Sequence, residues 1–445
     1  MPLDPVHVNG IAELAGAIAR RVDDGDHDDL AATVWAEFLD PLTHDGRVVV
    51  EPIEEPRLRA APIDEVALVE PPFDVVHGLD SGTINPTAFT NGLVVDVAQA
   101  AMAADPSDLD VHRQRSLVAT VHANDVTVDF TTDWVHYDEG YSRRKVIHAP
   151  RVNRFAEGVV HALALYLAES EHALVNAHLV PEFLLLDGPI YPKELLNWQD
   201  RDAELSALAR EAQPRQVLAN YVELVERFGE RDVPIAGFVK SPSSKLITRT
   251  VREKGLEAPW VDDAALFRRL LERPADADDG GGSADRRTDD GRGDARHSDA
   301  ASGNGAGAVG RATDRLTFTS WFRSRGGADR AMAADGDALG VDRALDPEEY
   351  EVTFFVVFEP REGVVFRVEA PYGATRDPDV RDRITRQVLR GVAARRGPPE
   401  AVAKADALAR ISAAEKAAIR ERFEERFDAD SLRTYDDVRW DGEDG

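Results

Sequence analysis

The 445-residue sequence holds no Cys and sets 53 Lys+Arg against 82 Asp+Glu, a net charge of −29. That excludes a disulfide-stapled secreted scaffold, thiolate zinc sites and Cys nucleophiles, and 43% hydrophobic residues exclude a wholly disordered chain. Only 7 of the basic residues are Lys, a balance that suits a salt-adapted cytosol, where screening removes most self-repulsion and an acidic chain can still take a nucleic-acid ligand.

Two helical patterns open the chain. Ile11, Leu14, Ile18 and Val22 fall on one face, and Leu30, Val34, Phe38 and Leu39 on another, so residues 1–45 are expected to form an N-terminal helical extension. Residues 46–75, rich in Pro and Glu, are expected to connect it to a first strand at Val75–Asp80. β-rich runs follow at Leu93–Ala98 and Leu117–Phe130, the second rich in Val and Thr as antiparallel strands are. From Asn153 to about Ala177 apolar residues recur at three and four, which predicts a long helix, and the apolar run Phe183–Leu186 predicts a buried strand. Helix Gln213–Phe228 and strand Val233–Val239 repeat the unit, the logic of a parallel sheet. Residues 275–312 carry almost no large apolar side chain and are expected to be a disordered insertion. Leu316–Phe322, a hairpin of Tyr350–Phe358 with Gly363–Ala370, two or three helices and an acidic tail over 426–445 complete the chain. No apolar run approaches the ~18 residues that span a bilayer, and the start lacks a basic region leading into an apolar core. The expected location is the cytoplasm, with no membrane partner.

Asp80, in VVHGLDSGT, ends an apolar strand, and the Ser-Gly after it lets the backbone turn. That is a favoured position for a site carboxylate, although an Asp there also caps a turn through nearby amides. Asp187, in FLLLDGPIYP, repeats the arrangement on a strand expected to run parallel to the first. If the two strands are neighbours their carboxylates converge, and like charges so close repel unless a cation such as Mg²⁺ or Mn²⁺ sits on their oxygens. Between them, AESEHAL on the long helix adds Glu169 and Glu171, either of which also reads as a solvated helix face. Two residues apart on a helix is about 200° of rotation, so only one of them faces the metals. Asp on strand one, Glu on the first helix and Asp on strand four is the acidic constellation of ribonuclease-H-like nucleases, whose two metals activate a water and stabilise the leaving oxygen. Lys240 and Lys245, two of the 7 Lys, follow a strand end in GFVKSPSSK and are candidate contacts for DNA phosphates, with Arg249 and Arg252 extending the basic stretch. Arg367 reads as either a buried partner of Glu369 or a phosphate contact. His161 and His172 flank the helix site and read as packed or surface residues more readily than as ligands; Tyr191 and Trp260 could stack on an unpaired base, although aromatics more often serve as core.

With these segments, together with IAGFVKSPSSK over 235–245 and VVFRVEAP over 364–371, the sequence resembles the NurA nucleases of archaea and bacteria, most of all their haloarchaeal branch. The likeness spans roughly residues 75–425. It implies a ribonuclease-H-like α/β core with a mixed sheet flanked by helices, and Mn²⁺-dependent 5′-to-3′ exonuclease and single-strand endonuclease activity, with Mg²⁺ as the other candidate ion. A homodimer partnered by the HerA-type hexameric translocase in double-strand break repair is implied as well. Asp80 and Asp187 match the family's strand-one and strand-four Asp, and Glu169 the first acid of its E-x-E-x-A-L helix, ahead of Glu171. The family's C-terminal His falls on Asp406 in GPPEAVAKADALARI, and its Tyr is lost. Asp406 can still ligate a hard divalent ion. The departure keeps a second expectation alive, a catalytically reduced docking subunit of the translocase. A phosphotransfer enzyme of the sugar-kinase type would need glycine-rich phosphate loops, which the sequence lacks.

Overall fold

The computed structural model describes residues 5–19, 21, 25–125, 127–272, 312–334 and 340–432. Its centre is five strands: β1 (Val76–Thr83), β2 (Val94–Asp105), β3 (Arg115–His122), β4 (Phe183–Asp187) and β5 (Ile235–Val239). β1, β2 and β3 form an antiparallel meander, and β4 pairs parallel with β1 on its other side, with β5 parallel beyond it. The spatial order 3-2-1-4-5 is that of a ribonuclease-H-like sheet. Helix α1 (Ala156–Asn176) makes the crossover from β3 towards β4, and α2 (Ala212–Gly229) the crossover from β4 to β5. β4 reads FLLL because it lies between two covered faces, where an alternating pattern would bury polar groups.

The sheet continues past β5. The hairpin β6 (Val352–Glu359) and β7 (Val364–Pro371) forms as its sequence predicts, with β7 antiparallel to β5 and Gly363 N–H donating to Glu359 C=O at 2.9 Å. Segments Arg47–Pro52 and Leu58–Pro62, expected as a connector, are strands here, paired with Phe322–Ser324 and Arg315–Thr319. Arg47–Pro52 also pairs locally with Leu42–His44 across the Asp45-Gly46 turn, whereas the partner of Leu58–Pro62 lies more than 250 residues away along the chain, so no local pattern announces that strand. The run Leu117–Phe130 is not one strand: pairing ends at His122, because a Val/Thr-rich extended segment does not become a strand without a partner. Beyond β3 the sheet adds Ser142–His148, which its charged SRRK start hid, and the three-residue edge strand Val135–Tyr137.

Two cores sandwich the sheet. Leu79, Leu184 and Leu186 pack on one face against α1 and α2, and Val76, Phe183 and Leu185 on the other against α3 (Pro378–Arg395) and α4 (Glu400–Ala409). At the chain start the structure has helices Pro5–Ala19 and Gly25–Thr33 and a π-helical turn Val34–Phe38. Val34 and Leu39 are buried as their pattern suggests, whereas Ile11, Leu14 and Ile18 are exposed. Val22, most of 275–312 and residues 433–445 of the tail lie outside the described residues.

One packing detail positions the site. Gly78, Asp80 and Gly82 share a face of β1 because side chains alternate along a strand, and α4 lies directly on that face. A Cβ at Gly78 would stand 2.1 Å from the Ala401 carbonyl oxygen, and one at Gly82 would stand 2.4 Å from that of Ala409. Gly78→Ala should therefore lift α4 from the sheet and cost about 3 kcal/mol; urea unfolding checks this, and an unchanged midpoint would show that the helix can yield.

Candidate metal centre

The parallel register pairs Leu186 with Leu79, which sets Asp187 at the end of β4 beside Asp80 on β1. Asp187 has the parity of Phe183 and Leu185, so both carboxylates point to the face that α4 covers. α4 turns Ala401, Val402, Ala405 and Ala409 inward and carries Asp406 at the same edge. The result is a group of three carboxylates, Asp80, Asp187 and Asp406, each offering an oxygen within 4.8 Å of the others. All three are partly exposed, so the group opens to solvent.

Lys240, the residue after β5, reaches this group. Its Nζ lies 2.5 Å from Asp187 Oδ2 and 4.0 Å from Asp406 Oδ2. Arg410, the residue after α4, holds Asp406 Oδ2 at 2.9 Å. Ser81 N–H donates to Asp80 Oδ1 at 2.7 Å. One ammonium does not balance the cluster. Burial, then Asp187 and then Glu169 push the Asp80 carboxyl up to about 8, and burial raises Asp187 against the opposing pull of Lys240. The apo protein thus keeps a proton where a divalent cation would relieve the same repulsion. Hard carboxylate oxygens converging in this way fit Mg²⁺ or Mn²⁺.

Glu169 comes to the site from the opposite face. It is buried on α1, accepts from Tyr221 OH at 2.9 Å and from Ser81 Oγ at 3.1 Å, and stands outside the three-Asp group. Burial outweighs those two donors and pushes it up to about 7. Glu171 points elsewhere, to Arg143, with 3.6 Å between Nη2 and Oε2. Of the two helix acids, the structure brings only Glu169 to the site.

Lys245 is exposed at the start of helix Leu246–Glu253 and lines a neighbouring cavity, not the carboxylate cluster. Arg249 is exposed beside it, 3.9 Å from Glu253, but Arg252 ties down a loop by donating to the carbonyls of Ala258 and Trp260. Arg367 is buried between Glu369 and Asp329, at 2.7 and 2.9 Å. His161 pairs with buried Asp96 at 2.8 Å, and His172 bonds Ser116 Oγ at 3.0 Å with burial pushing its pKa down to about 3, so both are structural. Tyr191 and Trp260 are core residues.

Sequence reasoning missed the two hydroxyls that hold Glu169. Ser81 was legible beside Asp80 as the opposite-facing neighbour on the strand. Tyr221 was not, because its role depends on how α2 crosses α1. The signal for α4 was also present, as two Gly flanking Asp80 on one strand face.

Residues 74–411 match the family model of the NurA domain. No curated protein matches the chain. Among solved structures the chain is similar to the NurA nuclease from Sulfolobus solfataricus, at 14% identity and a TM-score of 0.43, covering 82% of this chain and 89% of that one. It is also similar to a NurA bound to dAMP and manganese, at 10% identity and a TM-score of 0.42, covering 98% and 100%.

Proposed function

The chain belongs to the NurA family, and from that membership we propose that it is a divalent-metal-dependent DNA nuclease whose ions are held by Asp80, Asp187 and Asp406 with Glu169 at their side. The observation that carries this is the convergence of three carboxylates from β1, β4 and α4 on one open edge of the sheet. Mn²⁺ is the first candidate and Mg²⁺ the second, on the chemistry of the oxygen donors. Such an ion, when bound, supplies Lewis acidity toward the phosphodiester and activates a water for attack at phosphorus.

The chain's own residues do the rest. Asp80 and Asp187 on two adjacent strands fix the spacing of the oxygens, and Asp406 supplies the ligand that the family takes from His. Glu169, held by Tyr221 and Ser81, is placed to orient a water or carry its proton. Lys240 can leave Asp187 for a phosphate oxygen once a cation takes over the carboxylate, and Lys245 is a contact for the strand beyond. We extend the reading, on the family resemblance, to 5′-to-3′ exonuclease and single-strand endonuclease action by a homodimer working with a HerA-type translocase on DNA ends. No helix among the described residues is long and apolar enough to cross a membrane; we read the chain as cytoplasmic.

The test is incubation of the purified protein in molar KCl with end-labelled single- and double-stranded DNA, with Mn²⁺ or with EDTA. Loss of label is expected in Mn²⁺ alone. No cleavage in any lane, with or without the translocase, would favour the docking-subunit reading, whereas Asp406, which retains an oxygen ligand where the family His stood, favours the nuclease.

A further inference from the structure

Acids and bases alternate along the carboxylate edge. Arg410 Nη2 lies 2.9 Å from Asp406 Oδ2, and Lys240 Nζ lies 4.0 Å from that same oxygen and 2.5 Å from Asp187 Oδ2. β4 stands between β1 and β5, so Asp80 on β1 and Lys240 after β5 approach Asp187 from opposite sides. There the alternation stops. Asp80 is within hydrogen-bond reach of Asp187, and among the described residues neither Asp80 nor Glu169 has an ion pair, Glu169 being held by the hydroxyls of Tyr221 and Ser81.

The oxygens already in use set how many ions this edge can take. Asp187 Oδ2 is engaged by Lys240, Asp406 Oδ2 by Arg410 and Asp80 Oδ1 by the Ser81 N–H. Each Asp therefore keeps one oxygen that meets no basic side chain and no N–H among the described residues, and the three carboxylates converge within 4.8 Å. Two divalent ions about 3.5–4 Å apart repel strongly unless a carboxylate spans them with both oxygens, and no Asp here has both to give. Charge points the same way. Fully ionised, Asp80, Asp187, Asp406 and Glu169 outnumber Lys240 and Arg410 by two, which one divalent ion balances and a second would overshoot.

We propose that the centre takes a single divalent ion per chain, on one oxygen each of Asp80, Asp187 and Asp406, and that Lys240 is its second cation, a resident ammonium where a two-metal nuclease carries its other ion. The inference rests on the nuclease reading and sharpens it. Lys240 is one-third exposed, so its ammonium can meet a phosphate oxygen beside the ion while its stem stays anchored at the end of β5. Its positive charge stabilises the phosphorane without a second equilibrium for metal.

The experiment counts ions. Metal-free full-length protein is titrated with Mn²⁺ by calorimetry in molar KCl, which screens loose binding to the acidic surface, and initial cleavage rates on end-labelled DNA are taken at subsaturating Mn²⁺. Wild type should bind one Mn²⁺ per chain, and log rate should rise against log free Mn²⁺ with a slope of one, a reading that also includes any ion arriving with the DNA. Lys240→Met should bind Mn²⁺ at least about tenfold more tightly, because the competing ammonium is gone. It should nevertheless cleave at least about a hundredfold more slowly at saturating Mn²⁺, and Lys240→Arg should recover part of that rate with the ion count unchanged. Two ions per chain in wild type, or a slope of two, would overturn the inference, as would a Lys240→Met protein that melts normally and matches wild type in both Mn²⁺ affinity and rate. A wild type that binds no Mn²⁺ would instead remove the metal-dependent reading itself, and the inference with it.

Discussion

Asp187→Ala should yield a folded protein that cleaves DNA in Mn²⁺ at least about a thousandfold more slowly than wild type, a loss of about 4 kcal/mol of transition-state stabilisation. Asp187 ends β4 beside Asp80, and its removal leaves the remaining oxygens on β1 and α4 with no bridge between them. Folding should survive because Asp187 sits at the open edge, outside both cores. The helix acids supply the contrast: Glu169→Gln should lose most activity, whereas Glu171→Gln, whose partner is Arg143, should stay within twofold. Kinetics with end-labelled DNA, beside circular dichroism of each variant, checks the set; an active Asp187→Ala would show that the carboxylate edge is not the reaction centre.

The second large effect is a metal-dependent change in the pH profile of stability. The Asp80 carboxyl is raised from 3.8 to about 8 in the folded apo chain, so the folded state binds the proton more tightly than the unfolded one. Its contribution is complete below about pH 4 and is lost as pH rises through 8. His172 and His77 act in the opposite direction. Burial lowers them from 6.5 to about 3 and about 4, so their contribution is complete above about pH 6.5 and is lost as pH falls below it. Glu169, raised to about 7, adds to the Asp80 effect, so in EDTA Tm should fall as pH rises from about 6.5 to 8, where the two His no longer offset the carboxyls. Mn²⁺ replaces the proton at the cluster, so it should raise Tm more at pH 8.5 than at pH 6, by an amount set by about 2.7 kcal/mol at a hundredfold excess over Kd. Thermal melts at both pH values decide it: a Tm indifferent to Mn²⁺ at pH 8.5 would mean that the three Asp hold no ion.

How much of this was legible beforehand follows from what kind of contact each element makes. β4, β5, α1 and α2 carry their burial in their own periodicity, so FLLLD and the spacing from Phe155 to Leu167 were readable alone. Asp187 was readable because it ends an apolar strand before a turn; Asp80 was readable as the acid that closes an apolar run, but the strand expected to stop there continues to Thr83 because Ser81–Thr83 stay paired with Ala98–Ala100. Asp406 came only from the family pattern, since nothing in AVAKADALA distinguishes it from a surface acid. Leu58–Pro62 became a strand through a partner after residue 312, beyond the reach of any local window, whereas Arg47–Pro52 also has a local partner in Leu42–His44 across Asp45-Gly46. The apolar stripe Ile11, Leu14 and Ile18 carried the opposite lesson: periodicity identified the helix, but burial needs a surface to meet, and among the described residues this face has none.

The seating of α4 on Gly78 and Gly82 has a consequence during synthesis. Asp80 and Asp187 emerge early, yet the helix that bears Asp406 leaves the ribosome only after every strand of the sheet has been made. A nascent chain halted before residue 400 presents two of the three clustered carboxylates and bare glycine where the helix should lie. On the proposed ligand set, such a fragment would carry an incomplete centre and should not cleave DNA.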